Sequence, residues 1–561
     1  IGGEANGSTP DAVVVDDKAK RVYVGLAGDN AVLAYTTGPT PHLLGAVATG
    51  NYPTGVAIAR GHLYAVSAKG YGGVPVTSRK QYDGNDMVGL LNDVALPTTK
   101  ELATGLTHSR ALLLNSLGTT RPADSPIPDE AHKGQSPIKH VVMVVRENRT
   151  FDQVFGDLKR KGADVEPKFV EFGDKDAKGR TVTPNAHAIA SHFGLSQNFY
   201  SDGEASIQGH YWTADGVSTD YTEKSWLDYY SNRNHSYDPT APVVYPRCGA
   251  MWQQLAAQGK TFRNYGELIG VATSQTPTVT TAPNSSCGTP GGTYDAASAA
   301  GFDNGLGANL SLTTVSDVDK EAMWEREYTP LIAAGQMPQF SYVVMGNDHT
   351  DGTSAGKKTP QAHVATNDLA VGKLVDFLSH SAAWKDTLVV VVEDDSQDGL
   401  DHRDGHRNIA LMASPYIKPG ALSSVHISQA SVLHTVELVL GLQPISSYTQ
   451  YAAVPYDLFT SKPDLRPYTA ITPTYPMTAT NGSAAAGSAA ALPIDTSRID
   501  VAGPLLEAQL WQATRPGTPM PSSLLHELAT RAGISPAALA AWAQGKVCTC
   551  TNAQLRGVID P

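Results

Sequence analysis

Residues 141 to 157 read VVMVVRENRTFDQVFGD. Five consecutive apolar residues, Val141 to Val145, suit a parallel strand covered on both faces, because such a strand has no polar side to show. The run stops at Arg146, Glu147, Asn148 and Arg149, and open α/β sheets bind their ligands at the carboxyl ends of strands. Two oxygen ligands at a strand tip, Glu147 and Asn148, suggest a metal. The same residues also fit a surface ion pair between Glu147 and Arg149, with Asn148 capping a helix from Thr150.

Working outward, strands alternate with helical stretches. Helical patterns cover Pro184 to Ala190, Met251 to Gln258, Gln361 to Ser379 and Ala430 to Leu440; strand patterns cover Thr261 to Tyr265, Ser341 to Met345, Leu388 to Val392 and Ile409 to Ala413. This alternation reads as an α/β fold with a doubly wound sheet. Two more strand ends carry chemistry: Asn347, Asp348 and His349 follow one, and Glu393, Asp394 and Asp395 follow another. Adjacent carboxylates repel, so a cation between them, or one side chain turned to solvent, is expected. Asp401, His402, Asp404, His406 and Arg407 add imidazole and guanidinium groups suited to phosphate or to borderline metals; HRDGHR also fits a polar surface loop.

Residues 1–120 read differently. TPDAVVVDDKAKRVYVGL and YPTGVAIARGHLYAVSA share a pattern, with Pro10 and Pro53 43 positions apart and Tyr23 and Tyr64 41 apart. That period belongs to β-propeller blades, and a later strand, Asp86 to Leu91, resembles Asp29 to Tyr35 of the first repeat. About 120 residues supply too few blades to close a ring, so a longer polypeptide or a separate N-terminal fragment is expected to complete it; a small β-sandwich is the alternative. Residues 121–137 form a Pro-rich linker, 138–479 the α/β domain with an insertion at about 221–317, and 480–561 an Ala/Gly/Ser-rich connection and helical tail. The helical patches of that tail are Ser522 to Ala532 and Pro536 to Gln544.

The chain has 561 residues with 42 basic and 54 acidic side chains, a net charge of -12, which gives no basic footprint for nucleic acid. Its longest apolar runs fall far short of the roughly 20 residues of a transmembrane helix. Pairing of Cys248 with Cys287 would tie down the insertion and indicate an oxidising compartment, so a secreted or periplasmic location is expected. Ile1 in place of Met reads as a processed product.

ENRTFDQVFG, TPNAHAIA, NFYSDGEASIQGHYW, NDHTDGTSAG, VVVVEDDSQDGLDHRDGHR and ASPYIKPG follow one another from about Ile138 to Leu442, and LLEAQLWQATRP follows in the tail. In this order they resemble the bacterial phosphoesterase family of phospholipases C and acid phosphatase A, whose fold is similar to the alkaline phosphatase superfamily. The resemblance implies a mixed, largely parallel sheet and a metal-activated hydroxyl nucleophile acting through a phosphoryl-enzyme. It carries Glu147, Asn148, Asp394 and Asp395 to metal ligation and Ser206 to the roles of nucleophile and ligand; Ser201 and Thr213 remain competing candidates, and a turn or cap serine remains open for Ser206. His210, four residues on, shares a helix face with Ser206 and is placed to bind a phosphoryl oxygen or protonate the leaving group. His349 and His406 complete the catalytic candidates, and Asp348, His402 and Arg407 the substrate-binding ones. Oxygen-rich ligands suit Ca, Mg or Mn, and Zn if histidines join.

The expected substrate is a phosphate ester, a membrane lipid included. The aromatic insertion with Trp226, Tyr229, Tyr230, Tyr237 and Tyr245 either receives a choline headgroup or fills a satellite core. A function of another class is a surface binding protein whose propeller recognises a ligand and whose phosphoesterase domain is inactive.

Overall fold

The computed structural model describes residues 7–73, 87–113, 119–230, 242–244, 246, 250–267, 269–270, 278–279, 315–396, 399–482 and, in the tail, 503–515, 518–519, 525–526, 529 and 535–543. All four cysteines, the connection beyond residue 482, Tyr237 and Tyr245 of the insertion, and most of the helical patch expected at 522–532 lie outside the described residues.

The N-terminal region forms two antiparallel sheets. The first runs in the order β1 (Pro10–Asp16), β2 (Arg21–Leu26), β3 (Ala31–Thr36), β4 (Leu43–Ala48), and the second is β5 (Asn51–Ala59), β6 (His62–Gly70), β7 (Leu90–Ala95). Tyr23, Val32, Ala34, Leu63, Ala65 and Leu102 form the apolar cluster the two sheets share. The strand expected at Asp86 to Leu91 thus starts at Leu90, and a helix the repeat pattern did not suggest, Thr99–Leu113, follows it. Its start has a local cause: Thr98 Oγ1 accepts from the Glu101 backbone N–H and Glu101 Oε2 accepts from that of Thr98, a capping box. The helix lies directly on β4, where a Cβ at Gly45 or Gly105 would strike the opposing backbone.

The linker is anchored: Ile127 is buried in the core of the α/β domain, and Tyr456 donates to the Pro128 carbonyl. That domain is built on a mixed, mostly parallel eight-stranded sheet. In chain order its strands are β8 (His140–Arg146), β9 (Gly194–Tyr200), β10 (Phe262–Tyr265), β11 (Phe340–Val344), β12 (Thr387–Glu393), β13 (Arg407–Ala413), β14 (Ala421–Ser423) and β15 (Ile427–Ser428). Across the sheet the order is β10-β11-β8-β12-β13-β9-β14, with β15 also on β9. Val141 to Val145 of β8 are fully buried between β11 and β12, as their unbroken apolar run requires. Only β13 runs against its neighbours, β12 and β9. The described residues between β12 and β13 form no helix, so that connection lacks the crossover element a parallel return needs.

Helices Pro184–His192, Pro360–Ser379 and Gln429–Leu440 pack on this sheet, and Thr359 caps the second by accepting from the Ala362 N–H. A further helix, Asp317–Ala333, buries Trp324 and Tyr328; Pro330 inside it hides the helical signal in the sequence. Helix Gly503–Thr514, from the LLEAQLWQATRP motif, docks through Leu510 and Trp511 and through bonds from the Thr353 N–H to Gln509 and from Gln361 to the Ala513 carbonyl.

Candidate functional site

Three strand tips finish level with one another. Val145 of β8 pairs with Val344 of β11 and Val392 of β12, and Arg146 pairs with Glu393. The residues that follow in each strand, Glu147 and Asn148, then Asp348, then Asp394 and Asp395, therefore arrive side by side, and all are buried.

The helix Ser206–Asp215 points its N-terminus at the same place. Its approach depends on Gly209, where a Cβ would collide with the carbonyl oxygen of Asp394. Ser206 Oγ donates to Asp395 Oδ2 at 2.7 Å and accepts from Asn148 Nδ2 at 2.9 Å, and Asn148 Nδ2 also donates to Asp395 Oδ1 at 2.5 Å. One helical turn on, His210 Nε2 lies 2.9 Å from Glu147 Oε1 and 3.5 Å from Asp394 Oδ2, while Nδ1 lies 2.7 Å from Glu267 Oε2. Burial opposes a charge on this ring, but the carboxylates of Glu267 and Asp394 and the bonds to Glu147 and Glu267 outweigh it and hold the pKa well above that of an ordinary histidine.

Behind the tips, Arg146 pairs with Glu393, and Arg149 donates to the carbonyl oxygens of Asp348 (2.9 and 2.6 Å) and His349 (3.0 Å). Asp348 Oδ1 accepts from the Glu147 N–H at 3.1 Å, and burial together with the Glu393 charge holds its carboxyl well above the usual range.

Glu147, His210 and Asp394 offer ligand atoms within 4.8 Å of one another. Glu147 Oε2 and Asn148 Oδ1 are buried and have no hydrogen-bond partner among the described residues. A buried acceptor left so costs about 1–3 kcal/mol, and three carboxylates with a serine and an amide form an oxygen-rich set suited to a hard divalent cation. The residues present fit such a group.

A second cluster, Asp152, Asp401 and His402, also brings ligand atoms within 4.8 Å of one another. Arg407 sits in it, with Nη1 3.4 Å from Asp401 Oδ2 and 3.8 Å from Asp152 Oδ1 and its guanidinium 4.1 Å from the Phe151 ring centroid.

The sequence pattern of the Phosphoesterase family matches residues 138–239 and 180–443, more than half of the chain. The chain belongs to the phosphoesterase family. Hydrolysis of phosphoester or related bonds is the activity of this class of enzyme. No curated protein matches the chain significantly. Solved structures similar to it include a protein of the alkaline phosphatase superfamily from Vibrio parahaemolyticus, 18% identical, covering 62% of this chain and 79% of that one with a TM-score of 0.38. The lipoteichoic acid synthase LtaP from Listeria monocytogenes is 11% identical, covering 76% and 98%, with a TM-score of 0.36. A phosphonate monoester hydrolase of Agrobacterium radiobacter is 12% identical, covering 55% and 74%, with a TM-score of 0.33.

In this phosphoesterase the structure brings Glu147, Asn148, Ser206, His210, Asp394 and Asp395 together, with Asp348 directly behind them. The other residues singled out from sequence have partners elsewhere. His349 Nδ1 bonds the Thr350 carbonyl at 3.0 Å. His402 bridges Asp152 (2.6 Å) and Asp164 (3.1 Å), and Arg407 also donates to the Gln197 and Asp164 carbonyls. His406 pairs with Asp404 at 2.9 Å on the wall of a cavity of about 500 Å³ between the N-terminal sheets and the α/β domain. Of the aromatic insertion, Trp226 fills a small core with Ala205 and Ile207. Glu267 was missed, although it stands just past the carboxyl end of β10, where the strand-end rule that singled out Glu147 also applies.

Proposed function

We propose that the chain is a metal-dependent phosphoric ester hydrolase, of phosphatase or phospholipase C type, with Ser206 as nucleophile. The observation that carries this reading is the buried convergence of Ser206 Oγ with Asp395, Asn148, Glu147 and Asp394 at the tips of β8 and β12. A divalent cation held by Glu147, Asn148, Asp394 and Asp395 would supply the positive charge that acidifies the serine hydroxyl and offsets charge on the phosphoryl oxygens.

Ser206 Oγ donates to Asp395 Oδ2, which makes that carboxylate the proton acceptor as the oxygen attacks phosphorus. The Ser206 O–P bond forms as the ester P–O bond breaks, and the proton passed to Asp395 goes on to the leaving alkoxide; water then cleaves the phosphoryl-serine, its oxygen going to phosphorus and a proton to Ser206 Oγ, which restores the hydroxyl. His210, held at Nδ1 by Glu267, turns Nε2 toward Glu147 and Asp394 beside the reacting group. The N-terminus of the helix Ser206–Asp215 adds backbone N–H groups where negative charge accumulates.

The wider organisation belongs to the same proposal. The near-regular repeat and the four-stranded sheet β1–β4 support reading the N-terminal region as propeller blades ahead of a linker, the phosphoesterase domain and a tail. Export belongs to it too: a disulfide between Cys248 and Cys287 would form in an oxidising compartment.

The test is hydrolysis of p-nitrophenyl phosphate and bis-p-nitrophenyl phosphate with added divalent cations, which also separates mono- from diesterase. Ser206→Ala should lower kcat on the order of 10³-fold or more in a folded protein. Wild-type turnover by that variant would remove Ser206 from the reaction.

A further inference from the structure

The loop that carries Ser206 is held by a residue from another part of the chain. Lys69, near the end of β6 in the second N-terminal sheet, places Nζ 2.8 Å from Glu204 Oε1 and 2.5 Å from Glu223 Oε2. Glu204 stands two residues before Ser206, and Glu223 lies on the helix Asp220–Tyr230. Gln208 closes the ring: Nε2 donates to Glu204 Oε2 at 2.5 Å and Glu223 Oε2 at 2.9 Å, and Oε1 accepts from the Glu204 N–H at 3.0 Å. Lys69, Glu204, Gln208 and Glu223 thus form a closed cycle around the turn from which Ser206 enters the site.

Two features make Lys69 the member on which the cycle depends. The side chains of Glu204 and Glu223 are 3% and 2% exposed and share one amide, so their charges repel across a poorly screened gap. Removing the cation between two such groups leaves them uncompensated. The turn also borders the cavity of about 500 Å³, which Lys69, Asp202, Glu204 and Glu223 line, so on that side the described residues leave open space beside it. The N-terminal region also docks through bonds outside this cycle, Tyr52 Oη to Asp220 Oδ1 at 2.7 Å and Lys224 to Asp11, while the Tyr52 ring centroid lies 5.5 Å from Lys69 Nζ and Met87 packs against Ala205, Ile207 and Trp226.

We propose that Lys69 is a positioning residue for Ser206, by which the N-terminal sheet fixes the geometry of the phosphoesterase site. The inference rests on Ser206 being the nucleophile. The N-terminal sheets are then a working part of the hydrolase, and their role extends beyond recognition of a separate ligand.

The experiment measures kcat and KM for p-nitrophenyl phosphate, with thermal midpoints, in the full chain and its Lys69→Met, Lys69→Arg, Tyr52→Phe and Ser206→Ala variants. Displacement of a reacting group by about 1 Å costs on the order of 10²-fold in rate, so Lys69→Met should lower kcat about 10- to 100-fold with KM within about twofold. Lys69→Arg, which keeps the cation, should recover most of that loss. Tyr52→Phe removes a neighbouring interface bond and should leave kcat unchanged even where it lowers the midpoint. A folded Lys69→Met with wild-type kcat, beside an inactive Ser206→Ala, overturns the inference and leaves the nucleophile standing; an active Ser206→Ala overturns the reading beneath it. A Tyr52→Phe kcat that falls with its midpoint as far as that of Lys69→Met also overturns the inference, since any loosening of the interface would then suffice. Should Lys69→Met not fold, the double variant Lys69→Met/Glu204→Gln relieves the charge imbalance, and the same fall in kcat is expected of it; a wild-type value there overturns the inference.

Discussion

The α/β domain holds two buried acidic clusters built from the same kinds of residue, and their contents differ. At the tips of β8 and β12, Glu147, Asp394 and Asp395 face Asn148, Ser206 and one histidine, and Glu147 Oε2 and Asn148 Oδ1 lack a hydrogen-bond partner among the described residues. At Asp152, Asp401 and His402 the guanidinium of Arg407 occupies the middle, supported by the Phe151 ring and two carbonyl oxygens. Carboxylates gathered out of water need a cation. The second cluster carries a permanent one in Arg407; the first has only the titratable His210, and the proposed function places a divalent cation there. Grouping of acidic and imidazole side chains therefore identifies neither as a metal site, and what stands between them decides.

The comparison breaks most visibly if the first cluster binds no cation. Asp395→Asn should lower turnover on the order of 10³-fold and abolish the rise in thermal midpoint that divalent cations give the wild type, about 2.7 kcal/mol at one hundred times Kd. Calorimetry and metal content per chain measure it, and an unchanged metal content would place the cation elsewhere. Arg407→Met tests the second cluster and should cost about 3–5 kcal/mol in denaturant unfolding, because Asp152 and Asp401 then lack their partner. The cation response should survive in the fraction that folds; if divalent cations rescue stability there, the second cluster is a metal site as well.

The smallest effect concerns pH. Burial pushes the Asp401 carboxyl up to about 7, against the pull of Arg407. Because the folded value lies above the unfolded one, the native state holds a proton the unfolded chain has released between about pH 4 and pH 7. Stability should therefore fall as pH rises through that window, by at most about 1.4 kcal/mol per unit from this group. Asp401→Asn should flatten that slope while Asp152 still faces Arg407; an unchanged slope would assign it to another group.

What the chain shows of its site before folding depends on where each residue stands. Glu147, Asn148, Asp394 and Asp395 follow long valine runs, so their place at strand tips is a local matter of apolar runs giving way to polar residues. Ser206 has no such flag and enters only through the resemblance of DGEASIQGH to a family motif. Glu267 follows a strand that the sequence does show, Thr261 to Tyr265, but it stands two residues past the strand end, behind Gly266, as a single carboxylate with no second polar ligand beside it. Arg407 and Asp395 look equally functional in VVVVEDDSQDGLDHRDGHR. Arg407 opens the antiparallel β13 and turns toward Asp152 and Asp401, whereas Asp395 stays at the tip of β12 with Ser206.

The sequence by itself determined the α/β alternation, the buried central strand, the repeat-like N-terminal region and most oxygen-bearing residues of the candidate site, because apolar period, capping and strand-end chemistry act over a few residues. Only the tertiary structure decided that β13 runs antiparallel, that Arg407 fills one acidic cluster, that Glu267 backs His210, and that Lys69 reaches the turn before Ser206. Each of these joins residues far apart in the chain, where burial and charge balance leave no local signal.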